Sequence, residues 1–493
     1  VNSIKCGGMK KILFFSILVI AVSIDLTAQT AQDALRYSRI FYNGTSRFMA
    51  SAGAFGAVGA DFSTLATNPA GLGLYRSAEI TLSPTFFNRY NTADYNGYLT
   101  TDDKANFALS NFGYVYTFYT GKPDRSGGIK SISVAFGMNR QNDFNNRLYI
   151  QGPNHTSSLL NTFTDILNTP PILKPRDVRY NYPFDIGLAY DCGLIYYDSV
   201  QNNYLCDMPN GGVFQEKTIN TWGSINEFEI AMGGNLDDKL YFGVTLGIPS
   251  IRFFYQSIYR EEDTGDTIPY FQSLRYDYSY ETHGTGFNVK IGLIYRPANW
   301  IRIGGAIHSP TWYPNMYDYY ASSMSATYDS VLNYPAQYSP SGTYEYQMMT
   351  PFRAIGSLGF FIGKYGFISG EYEYVDYNQA RFRSDGDSFQ DVNSTITSDY
   401  CSPVNIRVGT EWRIWLFRVR GGFGYYGSPG KNIGDRYLVT GGFGIYIKRF
   451  FADLAYQWSK ETSTYYLYNS SLVNATDIAT QTNSVTATVG FKF

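Results

Sequence analysis

The chain has 493 residues, a formal net charge of −2 and a mean hydropathy of −0.23, with 16% charged and 18% aromatic side chains. Near-neutral hydropathy excludes a bundle of transmembrane helices, and a balanced charge with no basic run excludes a nucleic-acid binder. The 46 Tyr, 35 Phe and 48 Gly among so few charges fit a transmembrane β-barrel, in which half of each strand faces lipid and aromatic girdles mark both interfaces. A large array of secreted β-sandwiches would share that composition.

The first element is an export signal. Met9-Lys10-Lys11 gives a basic start, an apolar run follows from Ile12 to Ile24, and Leu26-Thr27-Ala28 precedes Gln29. This is the pattern of a signal peptide, too short to span a bilayer comfortably, so the mature chain is expected to begin near Gln29. Val1 to Gly8 reads as an upstream start or extension, and residues 1–28 form the exported leader. Cys6 precedes the apolar run, so it is no lipoprotein acceptor. Of the remaining cysteines, Cys192 and Cys206 flank a short polar stretch and could pair in an oxidising compartment, leaving Cys401. No CxxC spacing offers a metal site, and no metal or cofactor is expected.

Residues 29–77 do not read as strand. Gln32 to Tyr42 has a helical pattern, with Leu35, Ile40 and Tyr42 among Arg36 and Arg39. A run of small residues follows from Gly53 to Ala60, and Asp61 is placed to cap a short turn through Leu65. Next comes Asn68-Pro69-Ala70-Gly71-Leu72-Gly73. A glycine-rich, strand-free stretch ahead of a wide barrel predicts a plug in the lumen; the alternative is a floppy periplasmic tail.

From residue 78 to 493 the chain alternates. Ile132, Val134, Phe136 and Met138 share one face, with Ser131, Ser133, Ala135, Gly137 and Asn139 on the other. Leu240 to Ile248 and Phe450 to Trp458 repeat the pattern. About fourteen such segments are expected, beginning near Ala78, Lys104, Ile129, Trp222, Lys239, Tyr278, Asn299, Tyr346, Tyr365, Pro403, Trp415, Arg436, Phe450 and Ser484. Every second connection is short, as at Gly363-Lys364 and Lys448-Arg449. The others are mostly long and polar, as at 312–343, 380–402 and 462–483. Short turns on one rim and long loops on the other belong to a barrel and not to a sandwich. Asn405, Arg407, Gly409, Glu411 and Arg413 share one face of a strand whose other face carries Val404, Ile406, Val408 and Trp412. Charges facing lipid at mid-depth are costly, so these face the lumen, as a structural ion network or, more sharply, a selectivity filter.

The connection 141–221 is the longest. Leu159, Leu160, Phe163, Ile166 and Leu167 fall at helical spacing, Pro170-Pro171 ends that segment, and a second apolar patch includes Phe184 and Leu188. An apolar helix on an extracellular rim either packs onto a neighbouring loop or captures lipophilic substrate. Arg147, Lys174, Arg176 and Arg179 are the loop's candidates for contact with an anionic head group.

The stretch Gly44-Thr45-Ser46-Arg47, Gly53 to Asp61, Asn68-Pro69-Ala70-Gly71-Leu72-Gly73 and Ser77-Ala78-Glu79 resembles the N-terminal hatch of the FadL family, with Asn68, Pro69 and Ala70 matching the family's NPA triplet. The likeness extends more loosely over Gly292 to Pro310 and Val404 to Gly424. Resemblance implies an all-β, fourteen-stranded outer-membrane barrel with a luminal hatch and a lateral opening. It also implies passive uptake of long-chain fatty acids or other hydrophobic compounds into a Gram-negative cell, by a monomer in contact with outer-membrane lipid. The alternative is a FadL-like interaction barrel serving as a partner or shuttle subunit in type 9 secretion. An enzyme is not expected, since only His155, His283 and His308 are present and no G-x-S-x-G motif occurs.

Overall fold

The computed structural model describes residues 29–120, 128–329 and 334–493; the export signal and Cys6 lie outside them. No described helix is long and apolar enough to cross a membrane. The wall is built of strands: β1 (Glu79–Tyr95), β2 (Tyr98–Tyr119), β3 (Ile129–Asp143), β4 (Val213–Leu236), β5 (Leu240–Glu262) and β6 (Phe271–Ala298). Then come β7 (Ile301–His308, continuing as Trp312–Tyr328), β8 (Gly342–Met349 and Arg353–Ile362), β9 (Gly366–Val375) and β10 (Asn405–Ile414). β11 (Phe417–Tyr426), β12 (Ile433–Ile447), β13 (Phe450–Tyr465) and β14 (Thr476–Lys492) complete it. Each pairs antiparallel with the next, and β14 returns to β1 from Glu79↔Lys492 to Asp94↔Asp477, closing a fourteen-stranded barrel.

Alternation fixes which face looks where. Ile80, Leu82 and Phe86 on β1, and Val485, Val489 and Phe491 on β14, are exposed on the outer surface, while Thr81, Ser83 and Thr85 between them are buried. On β10 the expected inward residues Asn405, Arg407 and Glu411 are buried, and Ile406, Val408 and Trp412 face out. A cation on that outer face would cost about 2–4 kcal/mol at mid-depth.

Several strands outrun their sequence signal. β4 begins at Val213, nine residues before Trp222, and β6 at Phe271, well before Tyr278. The span read as a polar loop over 312–343 is largely the upper half of β7, paired to β6 and β8. The other long connections are likewise part strand, since β13 runs to Tyr465 and β14 starts at Thr476. Beyond the membrane, both faces of the wall contact water or loops, so the burial of Phe271–Tyr280 no longer alternates and the period-two signal is lost. These extensions are held by their ladders and by the cap, as where Phe271, Leu274, Met324 and Ala326 pack into the core beneath it.

One ladder is interrupted. β2 pairs with β3 only from Tyr119↔Ser131 to Asn111↔Asn139. Above Asn111, β2 continues with β1 alone, after a register shift at Ser83/Pro84 that leaves Ser110 bulged. Side chains make up part of the deficit: Thr100 Oγ1 donates to Tyr149 O at 2.5 Å, and Arg140 Nε to Leu109 O at 3.5 Å.

The connection between β3 and β4 folds as a cap. It contains a strand, Asn146–Asn154, laid against β4, and three helices. To number them in chain order, the N-terminal segment contributes α1 (Ala31–Ser38) and α2 (Ser46–Ala50), and the cap α3 (Leu159–Leu167), α4 (Pro175–Asn181) and α5 (Ile186–Asp191). α6 (Gln390–Asp399) lies between β9 and β10. The N-terminus of α3 is tied to the wall by buried Glu261 of β5. Its carboxylate accepts from Leu159 N at 2.8 Å, Ser158 Oγ at 2.5 Å, Gln215 Nε2 at 2.9 Å and Tyr259 OH at 2.6 Å. Cys192 and Cys206 are both buried and both free, so the pairing their spacing allowed is not made; the Cys192 thiol donates to Met324 O at 3.3 Å instead.

Replacing Glu261 by Ala orphans three buried donors, Leu159 N, Ser158 Oγ and Tyr259 OH, at a cost of about 3 kcal/mol or more. The cap, and not the barrel, should loosen, which limited proteolysis reads as new cleavage within 159–212 with the barrel intact on a gel. Burial raises the Asp185 carboxyl at the start of α5 to about 6 from its ordinary 3.8. The folded cap therefore holds that proton more tightly than the unfolded chain, and its stability falls as pH rises from about 4 through 6. Hydrogen exchange of α5 amides should accelerate over that window, and Asp185→Asn should abolish the dependence.

Candidate functional site

The N-terminal segment lies inside the barrel. α1, α2 and two short 3-10 helices, Phe62–Ala66 and Pro69–Leu74, touch inward faces around the whole circumference. Ser46 N donates to Thr488 Oγ1 of β14 at 2.7 Å, and Thr440 Oγ1 of β12 to Ala50 O at 2.8 Å. Gly56 N donates to Glu371 Oε2 of β9 at 2.8 Å, and His308 of β7 hydrogen-bonds Thr67 O at 2.7 Å. Phe62 packs where Gly113 of β2 and Gly137 of β3 leave room.

The triplet singled out in the sequence forms the tightest of these contacts. Asn68 caps the Pro69–Leu74 helix through Oδ1, accepting from Ala70 N at 3.1 Å. Its Nδ2 donates to Gly56 O at 2.7 Å and to Leu293 O of β6 at 3.2 Å. Pro69 at the first helical position needs no N–H partner. The wall opposite is glycine. A Cβ on Gly292 would stand 1.9 Å from Asn68 Oδ1, and one on Gly243 2.2 Å from Pro69 O. Gly71 is equally constrained, its would-be Cβ falling 2.4 Å from Thr64 Oγ1.

Inward charges form three buried clusters. Lys290 bridges Glu227 and Glu229, Arg353 meets Glu373 at 2.7 Å, and Arg407 binds Glu371 and Glu373. Arg420 binds Glu411 at 2.8 Å and Asp453 at 2.6 Å, and Arg47 from α2 reaches the same Glu411 at 2.9 Å. Such pairs cost desolvation, but removing one partner leaves a buried charge alone, at about 3–5 kcal/mol.

Between this plug and the loops is a cavity of about 740 Å³, bounded by α1, α6 and the upper walls of β12–β14. A lobe of about 440 Å³ shares Thr30, Arg36, Arg89 and Phe144 with it and is lined by Phe253, Tyr255, Tyr278, Tyr280 and Tyr465. Opposite the aromatics stand three arginines. Arg39 is paired with Glu461. Arg89 donates only to the backbone Asp143 O at 3.2 Å, because the Asp143 carboxylate is engaged by Arg140. Arg436 donates to Ser459 Oγ at 3.0 Å, with its guanidinium centre 3.9 Å from the centre of the Phe41 ring. Neither Arg89 nor Arg436 forms an ion pair among the described residues, and a half-buried cation of that kind favours an anionic guest.

The capture residues named from sequence lie elsewhere. Leu159, Leu160, Phe163, Leu167 and Leu188 are buried in the cap's own core, Ile166 is packed against it, and Phe184 is half-buried against Tyr320. That core meets the cavity at Tyr255 and Tyr465, so the cap is its roof. The four basic candidates are not brought together. Arg147 pairs with Asp102 beside a second cavity of about 820 Å³, and Arg179 with Asp191. Arg176 is mostly exposed next to Asp177, and Lys174 precedes α4. Arg89 and Arg436 were missed as site residues because they sit on strands far apart in sequence. Their one signal is an arginine on the inward face of an alternating strand.

A plugged transmembrane barrel with a luminal cavity is the class these features define. No protein-family model matches the chain, and no curated protein matches it in sequence. Among solved structures, a FadL homologue of Pseudomonas aeruginosa aligns at TM-score 0.54 and 12% identity over 92% of this chain and 100% of its own. The toluene transporter TodX of Pseudomonas putida aligns at 0.53 and 9% identity, over 91% and 98%. The fold of this chain is that of the FadL-type outer-membrane barrels.

Gly292→Ala places a methyl group inside the Asn68 contact, so the plug must shift. In a bilayer-inserted protein this should release the N-terminal segment to protease and raise single-channel conductance from near zero, while Gly356→Ala, where a Cβ meets nothing within 4 Å, should do neither.

Proposed function

We propose that the protein is a passive channel of a Gram-negative outer membrane for hydrophobic compounds, long-chain fatty acids among them. It is exported by a leader cleaved near Gln29 and works as a monomer. The observation that carries this reading is the luminal cavity, with aromatics on one side, Arg89 and Arg436 on the other, the cap above and the plug below. Each CH₂ moved from water into such a site contributes about 0.8 kcal/mol, so capture needs no chemistry and no nucleotide. The fold is shared with a protein described as a toluene transporter, which supports a lipophilic ligand. An anionic head group against Arg89 and Arg436 extends that to amphiphiles.

In this reading the long loops face outward and the cap residues Leu159, Leu160, Phe163, Ile166, Leu167, Phe184 and Leu188 receive the ligand when their core opens. The Asn68–Gly71 turn acts as the hatch. The unpaired stretch between β2 and β3 is the place where the wall lets a neutral ligand out sideways, because β2 runs on from Ser110 to Tyr98 there without pairing to β3.

Uptake of a radiolabelled long-chain fatty acid is to be measured in cells carrying the barrel. Wild type should exceed an empty membrane, and Arg89→Gln/Arg436→Gln should lower uptake about tenfold, the loss of one charge-assisted contact. Pro69→Ala and removal of 159–167 should also lower it with insertion unchanged. Wild-type uptake no better than the empty membrane would sink the reading.

A further inference from the structure

A second set of arginines stands on the other side of the plug. At the short-turn end of the wall, Arg302 of β7, Arg413 of β10 and Arg418 of β11 share the lumen-facing register of Gly304, Glu411 and Arg420 on their own strands. Arg413 and Arg418 are direct cross-strand partners, an arrangement in which like charges repel.

Neutralisation is incomplete. Arg413 Nε lies 3.3 Å from Glu411, but that carboxylate already serves Arg47 and Arg420. Asp453 is taken by Arg420, and Asp61 in the plug by Thr45 Oγ1 and Ser63 N. Arg418 donates only to the backbone carbonyls of Trp415 and Phe417, its guanidinium centre 5.1 Å from the centre of the Tyr446 ring. Arg302 donates through Nη1 to Val58 O of the plug at 2.8 Å, stacks 4.1 Å from the Phe361 ring, and buries its Nε without a hydrogen-bond partner. Arg76, Arg296 and Arg413 add to the positive field at Arg302. Five arginines, Arg47, Arg302, Arg413, Arg418 and Arg420, therefore meet three carboxylates, and Arg302 and Arg418 reach none of them.

A ligand leaving through the wall between β2 and β3 would never meet these groups. One leaving along the barrel axis would pass them all. We propose that the short-turn mouth is an anion-accepting exit: an amphiphile with an anionic head group leaves axially beneath the plug, its head passing from Arg89 and Arg436 to Arg302, Arg413 and Arg418. This rests on the transport reading and adds a route and a ligand class to it. Neutral hydrocarbons use the wall, and organic anions use the lumen. A mouth with unpaired cations concentrates such anions from either side.

The test uses the full-length protein in liposomes, with two fluorescent probes of equal chain length. One is a pyrene-labelled alkyl sulfonate, which is permanently charged and does not cross lipid unaided, and the other is the matching pyrene-labelled alkane. Wild type should transfer both. Arg302→Gln/Arg418→Gln should slow the sulfonate about tenfold and leave the alkane unchanged, while Arg302→Lys/Arg418→Lys should keep most sulfonate transfer. Equal loss of both probes in the Gln variant shows arginines that merely hold the plug and overturns the proposal, as does no loss of either. Transfer of the alkane alone by wild type overturns the axial exit but leaves the channel reading standing; transfer of neither probe overturns both.

Discussion

Inside a bilayer no water is available to a peptide group, and each unpaired N–H or C=O costs several kcal/mol. The closed ladder from β1 round to β14 is the response to that constraint, and most other features follow from it. Closure creates a lumen wide enough to need filling. Filling it with a chain segment brings more peptide groups into the interior, and these in turn need partners. Hence the carbonyls and amides of the plug end on Thr440, Glu371, His308 and Thr488 of the wall. The long lapse above Asn111 on β2 is informative for the same reason: a break in lipid persists only where something else compensates.

Glycine and charge divide the work of seating the plug. Gly243 and Gly292 let backbone approach backbone at the Asn68 turn, which fixes position. The buried pairs around Glu227, Glu373 and Glu411 fix partners rather than add stability, since the desolvation of each ion offsets much of its attraction. Below and above this neutralised layer the balance changes, with Arg302 and Arg418 on one side and Arg89 and Arg436 on the other. The lumen is therefore electrically layered, neutral where it must be shut and positive where a guest would rest.

Legibility from sequence followed lipid exposure. Wherever one face met the membrane, as in Ser131–Asn139 or Leu240–Ile248, alternation located the strand and its orientation. Wherever both faces met protein or water, as in Phe271–Tyr280 and Trp312–Tyr328, it did not, and strand was read as loop. The spacing of Leu159 to Leu167 identified a helix correctly, but apolar spacing alone cannot tell a surface that binds ligand from one that binds its own protein; here the helix is seated on the cap core. The cavity arginines come from strands hundreds of residues apart, and no local pattern marks their convergence.

The plug is the first described part of the chain and β14 the last, yet Ser46 hydrogen-bonds both Thr486 and Thr488, and Ala78 exchanges two backbone bonds with Phe493. The seam that seals the wall is thus also a wall of the plug's seat. Sealing the wall and seating the plug therefore draw on the same last strand. Both events share one late step, joining parts of the chain more than 400 residues apart, as from Ser46 to Thr488. Chain ordering at such separation is slow, and until it happens an open edge of β1 remains exposed.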